Sequence, residues 1–569
     1  MTFRILAAVA AIALLSGGAP RGETVLWRVS PVLSEGAVTR LDLSLSFPGG
    51  ADGETTLQLP SDWGGEQELW RSLWDIRADG AQITPGESPD QLILTHAPGA
   101  ALTLHWKAGG GPDTPPGKHG GNDYRPRIAP DHFFAIGHTL LPWPDTVRDD
   151  TPARLALDRP EGLTLVSDAE LPAGKQAAGF GTLARSVLFG GDIRVIDAGG
   201  GARLALAGEF ETLTDAFWKD TFTRVTQAER KYWKAKDEPF LVTVISETRK
   251  PGDYSIGGTG LDDAFALFAT QNIRAADAVP LIAHEMMHTW VPGRIGRMPE
   301  EDEAVHYWLS EGFTDWATFR ALVRGGLWTP AEFAQAFNAS LSAYDLSPVK
   351  AATADEIRDG FWKNQEMSRL PYQKGLLIAA WLDARIREET KGRRDLDDVL
   401  LKMQRAAKQK KHKDTLAYNL LVLQVKKVSG WDPSAELEAL AMAGADPGLP
   451  ADLFALCGRL TAEDRLLWER GFDFSATADA GWKIQGVIEG SNAWEAGLRN
   501  DMELRSWSED SRDRDVTQDK TALVTEGEGL RAISWLPAGR ETRRVRSFEL
   551  TPDLGAPALA SCEARLAGN

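Results

Sequence analysis

Along the first third of the chain, apolar residues recur at every second position. The runs 39–47 (TRLDLSLSF), 55–60 (TTLQLP), 92–97 (LILTHA) and 101–106 (ALTLHW) alternate this way between Gly, Pro and Asp clusters. That period places one face of each strand inward and predicts a β-rich domain over residues 23–213, a sandwich or saddle. The Gly/Pro-dense stretch 108–126 reads as a loop within it, and His132 and His138 read as structural. Near Thr214 the spacing becomes helical in 215–234 (DAFWKDTFTRVTQAERKYWK). Two compact apolar runs follow, 239–246 (PFLVTVIS) and 264–270 (AFALFAT), both expected as strands. Helical spacing then dominates from about Ala317 to Gly444, and the tail reads as short strands with turn signals, 469–476 (ERGFDFSA), 482–507 and 530–537 (LRAISWLP). The predicted fold class is multidomain α+β. Its parts are a β-rich domain (23–213), a mixed domain (214–345), an α-helical domain (346–450) and a C-terminal β domain (451–569).

With 569 residues, 43% of them hydrophobic and 25% charged, there is apolar material for several cores. The net charge of -18 argues against a nucleic-acid partner, because counterion-release binding needs concentrated Lys and Arg. The one basic run, around Lys408 to Lys413, reads as a solvated helix end or loop. At the N-terminus Arg4, the apolar run Ile5 to Leu15 and the small residues Ser16 to Ala19 have the layout of a secretory signal over 1–22. The run is too short to span a bilayer and no second long one follows. A periplasmic or secreted protein, with no stable membrane span after signal removal, is expected. The two cysteines, Cys457 and Cys562, would be paired or free in an oxidising compartment.

The chemistry concentrates in 281–290, LIAHEMMHTW. Asp277 near an N-cap and Pro280 in the first turn suit a helix start there. On that helix His284 and His288, four apart, point the same way and can share one Zn²⁺. Glu285, rotated by about 100° from His284, can reach the open coordination position as general base for a water. Residues 308–316 (WLSEGFTDW) add Glu311, an acid among Trp308, Leu309 and Phe313 that suits a third ligand. Asp315, one turn on, is placed to hold a ligating imidazole in its tautomer.

Three motifs in this order, AHEMMHTWVPGRIG, WLSEGFTDW and PYQKGLLIAAWLDARIRE, resemble the glycyl aminopeptidase family. These are zinc metallopeptidases of the gluzincin type, related to the aminopeptidase N group and carrying a C-terminal PDZ domain. The resemblance is clearest over residues 254–400 and implies a thermolysin-like catalytic domain. It also implies one Zn²⁺ per chain, held by His284, His288 and Glu311, with Glu285 as base. It assigns Tyr372 to a hydrogen bond on the tetrahedral oxyanion. The stretch 253–265 (DYSIGGTGLDDAF) matches the family's substrate strand. There Gly257 and Gly258 would let a substrate backbone approach, and Asp262 or Asp263 would pair with its α-amine.

In the tail, 470–474 (RGFDF) resembles a PDZ carboxylate-binding loop and 487–504 a PDZ strand-helix-strand stretch, which implies a peptide C-terminus as a possible partner. The expected function is an exported zinc aminopeptidase acting on peptides, with small N-terminal residues, Gly or Ala, preferred. The alternatives are a thermolysin-type zinc endopeptidase and a non-catalytic PDZ peptide-binding protein.

Overall fold

The computed structural model describes residues 25–63, 66–109, 124–170, 178–247, 254–261, 263–299, 301–412, 414–508 and 515–568. Residues 1–22, expected to form a secretory signal, most of the Gly/Pro-dense loop and Asp262 lie outside them. Two compact units form. One runs to Asp220 and takes in Asp237–Ala278; the other takes in Thr221–Lys236 and the chain from Val279 onward.

The first unit is built of sheets. The alternation read from sequence is realised in the strand Ala37–Pro48, which buries Val38, Leu41, Leu43, Leu45 and Phe47. It lies in a six-stranded sheet beside Val25–Ser34 and Ala101–Ala108. Trp27 and Trp106 fill the core beneath, and Trp106 Nε1 donates to the Leu140 carbonyl at 3.0 Å. A five-stranded sheet follows in the order Ile193–Gly199, Ala202–Ala207, Phe240–Glu247, Ala264–Thr270, Ile256–Gly260. Its inner pairings are parallel, and Ala264–Thr270 is buried at every position, as a strand covered on both faces requires. The outer strand Ile256–Gly260 runs antiparallel. A Cβ on its Gly258 would fall 2.4 Å from both the Ala266 carbonyl oxygen and the Phe265 ring, so packing against the neighbouring strand already demands glycine there. His138 stacks on Trp63 at 4.6 Å between ring centroids, in keeping with a structural part.

Helix α1 (Asp215–Trp233) and helix α2 (Ala275–Met287) are each shared between the two units. Helix α2 begins two residues before the expected Asp277 cap, and Pro280 falls inside it. The cause is local: the Arg274 carbonyl accepts from the N–H groups of Asp277 and Ala278, while the Asp277 carboxylate is taken by the Tyr254 hydroxyl and Arg274 Nε.

The second unit is dominated by helices: α3 (Tyr307–Arg324), α4 (Pro330–Leu346), α5 (Gln365–Thr390), α6 (Leu396–Ala407) and α7 (Ala417–Ser429). Their starts follow from capping chemistry. Thr329 with Glu332 and Asp395 with Asp398 form capping boxes before α4 and α6, and Asn364 accepts from two N–H groups at the head of α5. Gly430, with φ of 82°, closes α7.

The tail differs from expectation in two places. Phe474–Asp479 is a short helix capped by Asp473, where the pattern 469–476 predicts a strand. The chain also ends in helix α8 (Ala556–Ala567), which packs on α3, where only short strands are expected. Cys562 on α8 is disulfide-bonded to Cys457. Between these lie a ribbon, Gly458–Trp468 with Ala538–Leu550, and a three-stranded sheet closed over Phe472, Ile484, Leu498 and Trp535. Within 487–504 the helix Asn492–Glu495 and the strand starting at Leu504 are present. The segment before them forms no strand among the described residues; isolated bridges pair Gln485 with Asp473 and Lys483 with Glu503, and Ile488 N–H donates to the Gly471 carbonyl. Among the described residues no helix is long and apolar enough to cross a membrane.

Candidate metal and active centre

Residues of α2, α3 and α5, all in the second unit, meet at one place. His284 and Glu285 lie in the last turn of α2, and His288 stands one residue beyond its end, in a tighter turn closed by His288 N–H to the Glu285 carbonyl. The rings of His284 and His288 stand 4.8 Å apart and nearly perpendicular. Glu311 reaches them from the second turn of α3. One Glu311 oxygen, Oε2, lies 3.2 Å from His284 Nε2 and 3.5 Å from His288 Nε2. The other ring nitrogens are occupied: His284 Nδ1 faces Asp315 Oδ1 at 2.8 Å, and His288 Nδ1 faces the Val291 carbonyl at 2.9 Å. Donating Nδ1–H to these acceptors turns both Nε2 lone pairs toward Glu311. Thr314 Oγ1 lies within hydrogen-bond distance of two carbonyls, that of Val291 at 2.9 Å and that of Ser310 at 2.5 Å.

This donor set fits zinc. Two ligand atoms at about 2.0–2.1 Å from one tetrahedral ion stand about 3.3 Å apart, which the two Glu311 distances bracket. Ligating atoms of His284, Glu285 and His288 also fall within 4.8 Å of one another, so two carboxylates compete for the third place. The distances choose Glu311. Glu285 Oε2 is 4.0 Å from His288 Nε2 and is left free for another part.

The electrostatics agree with that division. Burial alone would raise the Glu311 carboxyl, but His288 and His284 outweigh it and hold the group well below the usual carboxylate range. For Glu285 burial prevails over the two imidazoles and pushes the carboxyl up. Burial works against a proton on His284, but Asp315 and Glu311 overcome it and raise its basicity.

Tyr372 arrives on α5, its ring 6.3 Å from that of His284 and 25° from parallel, with 36% of its surface exposed. Burial and the carboxylates of Glu311, Glu285 and Asp315 push its phenol far up, so it stays a donor. The approach of α5 to α3 depends on a missing side chain: a Cβ on Gly312 would lie 2.2 Å from the carbonyl carbon of Gly375.

Gly257 and Gly258 lie on the strand Ile256–Gly260 of the other unit, paired with Phe268 and Leu267; Asp262 falls outside the described residues. Three groups near the centre escaped the sequence reading. Val291 acts through its carbonyl, which leaves no trace in residue type. Tyr307 hydrogen-bonds Glu303, and its phenol is pushed up by burial, then by Glu303 and Glu311. Glu229 of α1 is 1% exposed, with both carboxylate oxygens unpartnered among the described residues, and burial pushes it well up. Its signal is an acid at helical spacing from the apolar residues Phe222, Val225 and Trp233.

No family model matches the sequence. In fold the chain is of the aminopeptidase N kind. An aminopeptidase N family protein from Idiomarina loihiensis superposes with a TM-score of 0.67, over 95% of this chain and 100% of that one, at 15% identity. Two other solved structures overlap more loosely. They are the M1 zinc metallopeptidase of Deinococcus radiodurans (15% identity, 75% of this chain and 96% of that one, TM-score 0.46) and yeast LTA4 hydrolase (16%, 76% and 70%, 0.47).

Proposed function

We propose that the chain is a zinc aminopeptidase. The observation that carries the reading is the convergence of His284 Nε2 and His288 Nε2 on one Glu311 oxygen while Asp315 and Val291 hold the opposite nitrogens. His284, His288 and Glu311 would hold the ion. A zinc ion there supplies Lewis acidity toward the scissile carbonyl and toward a water at the same centre. Glu285, raised by burial, takes the proton of that water and passes it to the leaving amine. Tyr372 donates its phenolic O–H to the carbonyl oxygen as negative charge develops on it. The reaction is hydrolysis of a peptide bond.

Recognition of the free α-amine is assigned to Asp262 or Asp263, after the strand Ile256–Gly260, with Gly or Ala preferred as the N-terminal residue. The resemblance of 253–265 to the family's substrate strand supports that assignment. Action outside the cytoplasm is part of the reading, supported by the N-terminal pattern and by the Cys457–Cys562 bond, which suits an oxidising compartment. For the C-terminal module we favour a structural part over capture of a peptide terminus, since a helix at Phe474–Asp479 stands where the added strand would need a partner.

The test pairs aminoacyl-amide substrates carrying a free amine with their N-acetylated counterparts, on protein whose zinc content is measured. Cleavage of the free-amine series alone, by protein holding one zinc per chain, is expected. Equal cleavage of both series selects the endopeptidase alternative, and no cleavage by zinc-loaded protein selects the binding protein.

A further inference from the structure

Away from the metal centre, the end of α6, the turn Lys410–His412 and α7 border a solvent-open cavity of about 240 Å³. Basic side chains line it: Lys402 and Arg405 from α6, Lys411 and His412 from the turn, Lys427 from α7. No carboxylate lines it, in a chain whose net charge is -18. Among the described residues none of Lys402, Arg405, Lys411 and Lys427 has an acidic partner, although ion pairs are plentiful elsewhere on the surface. Gln424, 5% exposed as a residue, lines the same cavity, and its amide, which reaches solvent, has no hydrogen-bond partner among the described residues.

Complementing helix dipoles accounts for a cation in the last turn of α6 and of α7. It does not account for four unpaired cations lining one concavity with the Gln424 amide at its wall. Like charges so placed repel, at a cost that an anion between them removes. The volume is below the roughly 300–1,000 Å³ of pockets for drug-sized ligands, which suits a small ion.

We propose that this cavity is a binding site for a polyvalent phosphate-type anion, distinct from the metal centre. The Lys and Arg side chains supply charge-assisted hydrogen bonds to the phosphoryl oxygens, and Gln424 donates its amide N–H. A free phosphate and the phosphate of a lipid headgroup share this chemistry.

The experiment uses the zinc-loaded full chain and inorganic phosphate, followed by ³¹P line broadening and by calorimetry at low and high salt. The comparison variants are Lys402→Gln/Arg405→Gln/Lys427→Gln, and separately Gln424→Glu, which places a negative charge in the cavity. Unchanged peptide hydrolysis certifies that each variant is folded with its metal centre intact, so phosphate held at the metal is common to wild type and variants and the difference between them reports the cavity. At least tenfold weaker phosphate binding in either variant is expected. Affinity equal to wild type in a folded variant overturns the proposal. Co-sedimentation with phosphatidic acid vesicles against phosphatidylcholine vesicles distinguishes the source. Tighter binding to the acidic vesicles than to free phosphate, lost in the variants, identifies a headgroup; binding of free phosphate alone identifies a soluble anion.

Discussion

Gly312 of α3 and Gly375 of α5 touch backbone to backbone: a Cβ built on Gly312 would lie 2.2 Å from the Gly375 carbonyl carbon and 2.3 Å from its Cα. Glu311 precedes the first of these glycines and Tyr372 stands three residues before the second, so this approach brings both side chains to the histidines. In an unpacked helix Gly→Ala stabilises by about 1 kcal/mol. Here overpacking reverses the sign, and Gly312→Ala should cost about 1–3 kcal/mol and lower activity as well. Thermal unfolding decides it, since a melting temperature equal to or above wild type contradicts the close approach.

Asp315 touches His284 at Nδ1 and makes no claim on the ion. Removing such a partner typically weakens metal affinity by about 10–100-fold, because the ring loses its orientation and some basicity. Asp315→Ala should therefore release zinc to a competing chelator at a correspondingly lower concentration while its circular dichroism stays that of wild type. Unchanged chelator competition would exclude the role.

Tyr372→Phe deletes one hydroxyl and leaves the ring beside His284. Loss of a single donor to a developing oxyanion costs about 10²–10³ in kcat. That loss is expected with zinc content intact, and Glu285→Gln should likewise abolish turnover without displacing zinc. A Tyr372→Phe enzyme with full kcat would return the tyrosine to a packing role.

What the chain revealed beforehand was local. The alternation of 39–47 reads out the strand Ala37–Pro48 because one face of a sheet must be apolar, and four-residue spacing puts two histidines on one side of a turn. Glu311 was legible because a carboxylate among Trp308, Leu309 and Phe313 is costly without a partner. The hidden parts depend on contacts distant in sequence. Helix α8 is held by the bond from Cys562 to Cys457, 105 residues away, and by Arg565 on Asp383, and neither partner can be read from the local pattern. Asp277 was expected to cap its helix, yet Tyr254 and Arg274 claim its carboxylate.

That C-terminal helix bears on the site through buried charge. Arg320 of α3, 1% exposed, pairs with Asp383, Asp395 and Asp397, and Arg565 of α8 shares Asp383. Arg324 of α3 donates to the carbonyls of Ala567 and Gly568. Closing a loop of 105 residues should stabilise by about 2–4 kcal/mol. Cys562→Ser, or reduction of wild type, should lower the urea midpoint accordingly. Reducing agent should leave the variant's midpoint unmoved, and a wild-type midpoint indifferent to reduction would show that α8 docks without the bond.

Lys374, two residues past Tyr372, is 2% exposed, and its Nζ has no hydrogen-bond partner among the described residues. Burial lowers its pKa from 10.5 to about 8, with Asp446 opposing. Between those values the unfolded chain holds a proton that the native chain has released, so stability rises with pH from about 8 to 10.5. Below pH 8 both states are charged and the native state carries the full penalty, on the order of 3 kcal/mol. Lys374→Met keeps the volume and removes the charge, so it should be the more stable protein at pH 7, and that advantage should shrink steadily toward pH 10.5. Urea unfolding of both proteins at pH 7, 8.5 and 10 measures the gap. A gap that stays constant across the three would mean that Lys374 reaches solvent or an anion when charged.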